Sequence, residues 1–462
     1  MYLKNWHELV ENGSSSSDRK ARRICLESLE AALVASEPRR LMMKKMKLDG
    51  DLIISGERIR LSKFERIVVV GGGKAAAAMA EAMESLLDGR ISAGLVNVPD
   101  KFRGRSTGKI GYHRATHPLP SQEGVAGVTK MLDIIGKPSE DTLVICLISG
   151  GGSALMPLPR EGVTLSDKVG VTKLLLNAGA TIRELNTVRK HLSGIKGGWL
   201  ARKLYPCASV AIVISDVVGD SLDSIASGPL YPDWSTFRDA LAVLRKYGVQ
   251  NKIPTNVARV LRKGLAHELP ETPKEGDRCF RRVRHVVVGS NADACGAAVR
   301  KLETLRRRPL YLTCHLSGEA QHAGAVLGSI ARDGLGRVSS RQSFLSLVAG
   351  GETTVRVVGS GRGGRNQEAA LGASISLEDA DDIALGFIGT DGLDGPTDAA
   401  GAIVDGSTLK RARSKGLDAD EYLARNDAYN FFRETGDLVI TGPTGTNVSD
   451  ISVAARSRVI IR

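Results

Sequence analysis

Aromatic residues are scarce, with 3 Trp, 8 Tyr and 8 Phe in 462 residues. Proteins that bind single-stranded nucleic acid stack bases on such rings, so this class is disfavoured at once. No two of the six cysteines (Cys25, Cys146, Cys207, Cys279, Cys295, Cys314) have CxxC spacing, and several lie in apolar runs such as VICLI. That pattern excludes a zinc site or a disulfide framework and fits a reducing compartment. The N-terminal stretch has no apolar signal core, and Glu8, Glu11 and Asp18 argue against a transit peptide, so a cytoplasmic location is expected. A charge-free stretch at 142–159 contains Gly150, Gly151, Gly152, Pro157 and Pro159. A lipid-spanning helix tolerates these badly, and no membrane association is expected.

Glycine is abundant, at 52 residues, without a collagen-like period. Lysine and arginine number 64 against 51 aspartates and glutamates, a formal net charge of +13. The basic residues fall in short scattered clusters (Arg39-Arg40, Lys44-Lys45, Arg281-Arg282, Arg306 to Arg308) and form no continuous stripe. Small anions, and not nucleic acid, are therefore the expected partners.

Residues 19–47 read as helical. Beyond them a β-branched apolar run repeatedly ends in a glycine loop that opens a helix, as in RIVVV-GGGK-AAAAMAEAMESLL and TLVICLI-SGGGS-ALM. Further strand candidates lie at 93–98, 209–215, 285–289, 309–313, 345–351, 383–389 and 438–442. Strands alternating with helices predict an α/β fold of two domains, each with a largely parallel sheet covered by helices, the first Rossmann-like. The Pro/Gly/Ser-rich stretch 227–237 is the candidate linker, dividing the chain into 1–235 and 236–462.

The chemistry-bearing residues gather in the loops. Gly71-Gly72-Gly73-Lys74 follows a strand and opens a helix, where unpaired N–H groups and absent Cβ atoms favour an anion. Lys74 stands in a helix's first turn, where the dipole disfavours a cation, which suggests that it reaches for a ligand anion. Residues 71–76 also match G-x-G-x-x-A, and Asp100 closes the next strand as a ribose-binding acid would, so a dinucleotide site stays open. The second loop, Ser149-Gly150-Gly151-Gly152-Ser153, is of the same type, and neither is a Walker motif. Asn186 and Arg189 are three apart, on one helix face, and together suit a carboxylate or a phosphate; a plain amphipathic helix fits equally. Asp216, with Asp220 and Asp223 after it, follows a strand, and such an acid either coordinates Mg²⁺ or caps a helix.

In the second half, Glu352 follows Gly350-Gly351, and the glycine-dense run 359–364 leads into Arg365, Asn366 and Gln367, donors suited to an anion. GTDGLDGPTDAAG places Asp391, Asp394 and Asp398 beyond a strand, fitting a general base, a metal site or Asx-turns. The last cluster runs from Gly442 through Thr444, Thr446 and Asn447 to Asp450.

GGGKAAAAMAEA, ATHPLPSQEG, ISGGGSAL, NTVRKHLSGIKGGWLA, ISDVVGDSLDSIASGP, GGETTV, GGRNQEAAL, GTDGLDGPTDAAGA and GPTGTNVSD together resemble the glycerate 2-kinase family, whose C-terminal domain is called MOFRL. The resemblance runs from about Arg66 to Ser452. It implies ATP-dependent phosphorylation of D-glycerate on its 2-hydroxyl, giving 2-phosphoglycerate and ADP, with Mg²⁺ and an active site in the interdomain cleft. It identifies Lys74 and Arg365 as the family's charged pair and Asp391 as their acidic partner. Asp391, with Asp394 second, is the expected acceptor of the hydroxyl proton. Gly72, Gly73, the 149–153 loop, Asn186, Arg189, Asn366, Gln367, Asp394, Thr397 and Asn447 are expected to bind glycerate or ATP, and Asp216, Asp220 or Glu352 the metal. A monomer or homodimer fits. Ser221 and Leu230 depart from the pattern, which usually has an acid and a threonine there. Some members carry the name hydroxypyruvate reductase, so an NAD(P)H-dependent reductase is the alternative.

Overall fold

The computed structural model describes residues 1–106, 108–334 and 346–458. It divides the chain into two compact units: an inner unit of Leu41–Ser215 and Asp220–Val288, and a terminal unit of Met1–Arg40, Asp216–Gly219 and the chain from Gly289 on. The expected boundary at 235 does not coincide with this division. The stretch 227–237 is not a linker, because Ser227, Leu230, Asp233 and Ser235 are buried in it. After it, helices Phe237–Lys246 and Thr255–Leu265 pack Phe237, Leu244, Val257 and Leu261 onto Leu175, Leu185 and Val188, within the inner unit.

The inner unit is built on a six-stranded sheet in the order Ile110–Ala115, Ala93–Pro99, Arg66–Gly72, Thr142–Ile148, Ala208–Ile214, Val283–Gly289. The first five strands run parallel. Thr142–Ile148 is buried at every residue, as a central strand covered on both faces must be, which explains its unbroken apolar run. By chain order the strands read 3-2-1-4-5-6, the doubly wound order, whose direction reverses between Arg66–Gly72 and Thr142–Ile148. Both glycine loops therefore leave from the carboxyl ends of adjacent strands, where such sheets bind ligands.

The terminal unit carries a second six-stranded sheet: Pro309–Leu316, Ser346–Gly351, Asp450–Arg456, Ile383–Gly389, Gly401–Asp405, Leu438–Val439. Residue 345 of the expected strand 345–351 lies outside the described residues, and the expected strand 438–442 shortens to two residues. Here the expectation of a largely parallel sheet fails. Among the described strands of this sheet only Pro309–Leu316 and Ser346–Gly351 pair in parallel, and Asp450–Arg456 is antiparallel to both neighbours. Parallel pairing needs a crossover, whereas the connection 390–400 is short and helix-free, so its strands meet antiparallel.

Helix Ser16–Ala35, capped by a Ser15/Asp18 box, packs on strands Ile383–Gly389 and Asp450–Arg456 and on helix Asn291–Thr304. Arg22, fully buried, anchors it: Nε lies 2.5 Å from Asp405 Oδ2, Nη2 2.6 Å from Asp437 Oδ1, and Nη1 donates to Leu9 O at 2.8 Å. The N-terminal segment is thus part of the core of the C-terminal half. Among the described residues no helix is long and apolar enough to cross a membrane.

Candidate functional site

In the inner unit the two glycine loops are laced together. Lys74 N donates to Gly150 O at 2.8 Å, Ala75 N to Ser149 Oγ at 3.1 Å and Gly73 N to Asn97 O at 3.3 Å. The approach demands glycine at 73: φ is +150°, and a Cβ there would meet Ser149 Oγ at 2.1 Å. This corrects the expectation that Gly72 and Gly73 lead a backbone anion cradle, because the N–H groups of residues 73–75 are engaged within the protein. The second loop differs. Gly151 adopts φ +79° at the start of the turn Gly152–Leu155, and the N–H groups of Gly150 and Gly151 meet no acceptor among the described residues. Such consecutive N–H groups form an anion-binding concavity. His117 Nε2 and Lys74 Cγ lie 2.8 and 3.4 Å from where a Gly151 Cβ would stand, so both side chains flank this loop.

A polar chain continues from it. Ser153 Oγ is 2.8 Å from Ser227 Oγ, which donates to Asn186 Oδ1 at 3.1 Å. Asn186 and Arg189 share helix Ile182–His191, fixed by a Thr181/Glu184 capping box. The neighbouring Lys190, read in the sequence only as part of the motif, is buried and pairs with Asp233 (3.3 Å) and Asp223 (3.4 Å).

The terminal unit gathers the other set. Arg365 begins helix Arg365–Ser376 and grips Asp450 with a fork, Nε to Oδ2 at 2.5 Å and Nη2 to Oδ1 at 3.0 Å, while Nη1 lies 2.9 Å from Glu352 Oε1. Asn366 Nδ2 donates to Asp450 Oδ1 at 3.1 Å. Burial works against the Arg365 charge, but Asp450 and Glu352 outweigh it and hold the guanidinium above its ordinary range. Burial raises the Glu352 carboxyl, and the negative fields of Asp450, Asp216 and Asp391 raise it further against the pull of Arg365. Asn447 Nδ2 donates to Asp216 Oδ2 at 3.3 Å, and Ser449 Oγ to Asp216 O at 2.6 Å, so these residues do come together. Asp450, which the sequence marked only as the end of a polar cluster, is the hub. It was missed because its strand, Asp450–Arg456, was not recognised.

Three other expected residues are framework. Asp394 is 2% exposed and accepts from Asn366 N (3.1 Å) and Gln367 N (2.8 Å), capping the helix that carries Arg365. Burial pushes its carboxyl up to about 7, against the two N–H bonds. Gln367 donates to Thr397 Oγ1 at 2.9 Å, both buried beneath that cap. Of the expected metal ligands, Asp216 and Glu352 belong to the terminal unit and Asp220 to the inner one, and no three His, Cys, Asp or Glu among the described residues group as metal ligands. The mutual repulsion registered at Glu352 nevertheless suits a divalent cation, and Mg²⁺ keeps most of its waters and takes only one or two carboxylates.

Two α/β units, one with a glycine-loop site at its switch point and one with an arginine amid carboxylates, define an enzyme-like protein built to handle anions. A family model described as a domain of unknown function, DUF4147, matches residues 24–262, and that of the MOFRL family matches 345–450. The chain is 40% identical to the glycerate 2-kinase of Pyrococcus horikoshii over 94% of this chain and 97% of that one. It is 38% identical to a putative hydroxypyruvate reductase of Agrobacterium vitis, over 96% and 97%. The crystal structure of the Thermotoga maritima glycerate kinase superposes with a TM-score of 0.81 at 38% identity, covering 93% of this chain and 98% of that one. The chain belongs to the glycerate 2-kinase family.

Proposed function

We propose that the protein transfers the γ-phosphoryl group of ATP to the 2-hydroxyl of D-glycerate, giving 2-phosphoglycerate and ADP. The observation that carries this reading is the switch-point loop pair, with Lys74 just before the N-cap of helix Ala76–Leu87 and not in its first turn as expected, beside a loop whose N–H groups of Gly150 and Gly151 stay open to an anion. Lys74 and Arg365 stabilise negative charge on the moving phosphoryl group. The 2-hydroxyl oxygen bonds to phosphorus as the bond to the ADP oxygen breaks, and the hydroxyl proton passes to the Asp391 carboxylate. Arg365 is oriented by Asp450 and Glu352, and its helix is set by Asp394. Glu352 and Asp216 would hold Mg²⁺, which when bound supplies charge neutralisation of the phosphates.

The reductase alternative needs a dinucleotide against the first loop. That loop's N–H groups are used internally, and Asp100 is exposed, its Oδ1 accepting from Lys101 N at 2.9 Å. Phosphorus NMR of the protein with D-glycerate, ATP and Mg²⁺, beside an NADH and hydroxypyruvate control, tests the proposal. 2-Phosphoglycerate without NADH oxidation is expected. 3-Phosphoglycerate would overturn the assigned hydroxyl, and NADH consumption without phosphoryl transfer would overturn the kinase.

A further inference from the structure

Two buried lysines in the inner unit have no role in the scheme above. Lys168 lies on helix Leu165–Asn177 at 7% exposure, and its Nζ has no hydrogen-bond partner. Lys196, at 1% exposure, donates to Ser153 O (3.0 Å), Ala226 O (3.2 Å) and Ser153 Oγ (3.4 Å), all uncharged. The two stand close enough to Arg189 that its positive field acts on both, and Lys168 acts on Lys196. Arg189 itself has no ion-pair or hydrogen-bond partner among the described residues.

The local carboxylates are committed elsewhere. Asp167 caps its own helix through Thr164 N and accepts from Asn256; Glu184 binds Thr181, Lys246 and Tyr247; Asp223 and Asp233 serve Lys190. Lys168 and Lys196 are buried with no carboxylate of their own, and burial followed by the field of Arg189 pushes both ammonium groups down, Lys196 well below its ordinary range. Lys168 adds a second anomaly, because it stands in the first turn of its helix, where the dipole repels a cation. A bound anion would restore the charged forms of both lysines and supply the negative charge that the neighbouring side chains do not. The polar chain beside the trio, Ser153, Ser227 and Asn186, offers hydroxyl and amide groups suited to the neighbouring hydroxyls of that ligand.

We infer that Lys168 and Lys196 join Arg189 as the binding residues for the carboxylate of a small hydroxy acid, and that they discriminate it from an uncharged polyol of the same shape. The inference rests on the proposed function in naming glycerate as that acid. Burial first, then Arg189, pushes the Lys168 ammonium down to about 7, a penalty that a bound carboxylate relieves.

Lys196 holds two carbonyls, so its removal also disturbs the fold, and the test rests on Lys168. Calorimetric binding of D-glycerate, glyceramide and glycerol is measured without ATP on wild type, Lys168→Met and Lys168→Arg, with thermal unfolding and MgATP binding alongside. Wild type binds D-glycerate and neither neutral analogue. Lys168→Met weakens D-glycerate by about 10- to 100-fold, the range of one charged hydrogen bond. Its MgATP affinity is unchanged and its melting temperature equal or higher, and Lys168→Arg restores most of the affinity. Unchanged D-glycerate affinity in Lys168→Met, equal affinity of wild type for glyceramide, or a lower melting temperature with both ligands lost would each overturn the inference. Lys168-dependent binding of D-glycerate without any phosphoryl transfer would sustain the inference and overturn the kinase instead.

Discussion

Replacing Arg22 with Met should destabilise the terminal unit strongly. Its guanidinium is wholly buried and is shared by Asp405 and Asp437, both at 0% side-chain exposure, with Arg411 the remaining cation on this pair. Removing one partner of a buried charge network leaves uncompensated charge, for which about 3–5 kcal/mol is typical. For a unit of this size each kcal/mol moves the melting midpoint by roughly 2–4 °C, so a drop on the order of 10 °C is expected at pH 7. The pH dependence carries a sign. Burial raises the Asp405 carboxyl, but Arg22 and Arg411 outweigh it and hold the group down to about 2. Its stabilisation is therefore present above the ordinary carboxyl range near 4 and is lost as the pH falls through about 2. Without Arg22 the native carboxyl protonates more easily, so the deficit of the variant shrinks towards pH 4. Arg19→Met, a half-exposed arginine 3.5 Å from Glu11, is the control and should change stability by about 0.5 kcal/mol or less. Calorimetry at pH 7 and pH 4 decides: an Arg22→Met midpoint within 2 °C of wild type, or a deficit equal at both pH values, refutes the reasoning.

Lys74→Ala and Arg365→Ala should each lower kcat by at least two orders of magnitude, about 3 kcal/mol of transition-state stabilisation, with near-normal kcat and only a raised KM counting against them. Asp391→Asn should keep its circular dichroism spectrum and lose rate; an unfolded product would assign that carboxylate to the framework. Asp394, with its carboxyl held up near 7, contributes stability that is present below about pH 4 and lost as the pH rises through 7, and Asp394→Asn, which keeps an acceptor oxygen, should flatten this slope in urea titrations. Gly73→Ala, driven into Ser149 Oγ, should impair both loops, and an unchanged KM for either substrate would show that their close approach is dispensable.

Fold class and the addresses of the loops were legible because both are local. A run such as TLVICLI is apolar at every position only when a strand is covered on two faces, and glycines before a helix mark a turn wherever it sits. The same locality explains the misreadings. ISVAAR beyond Asp450 is too small and mixed to declare a strand, although it lies between two antiparallel partners in the middle of its sheet. The stretch 227–237 has linker composition and a buried environment.

The sequence by itself determined the two α/β halves, the paired glycine loops and the family, since order, periodicity and motif spacing are written along one dimension. Tertiary structure decided which charges matter to one another. It placed the first 40 residues in the C-terminal half, tied Arg365 to Asp450, turned Asp394 into a helix cap, and left the buried Lys168 without a hydrogen-bond partner. Charge balance is a sum over neighbours in space, and neighbours far apart in the chain are fixed only when the core closes.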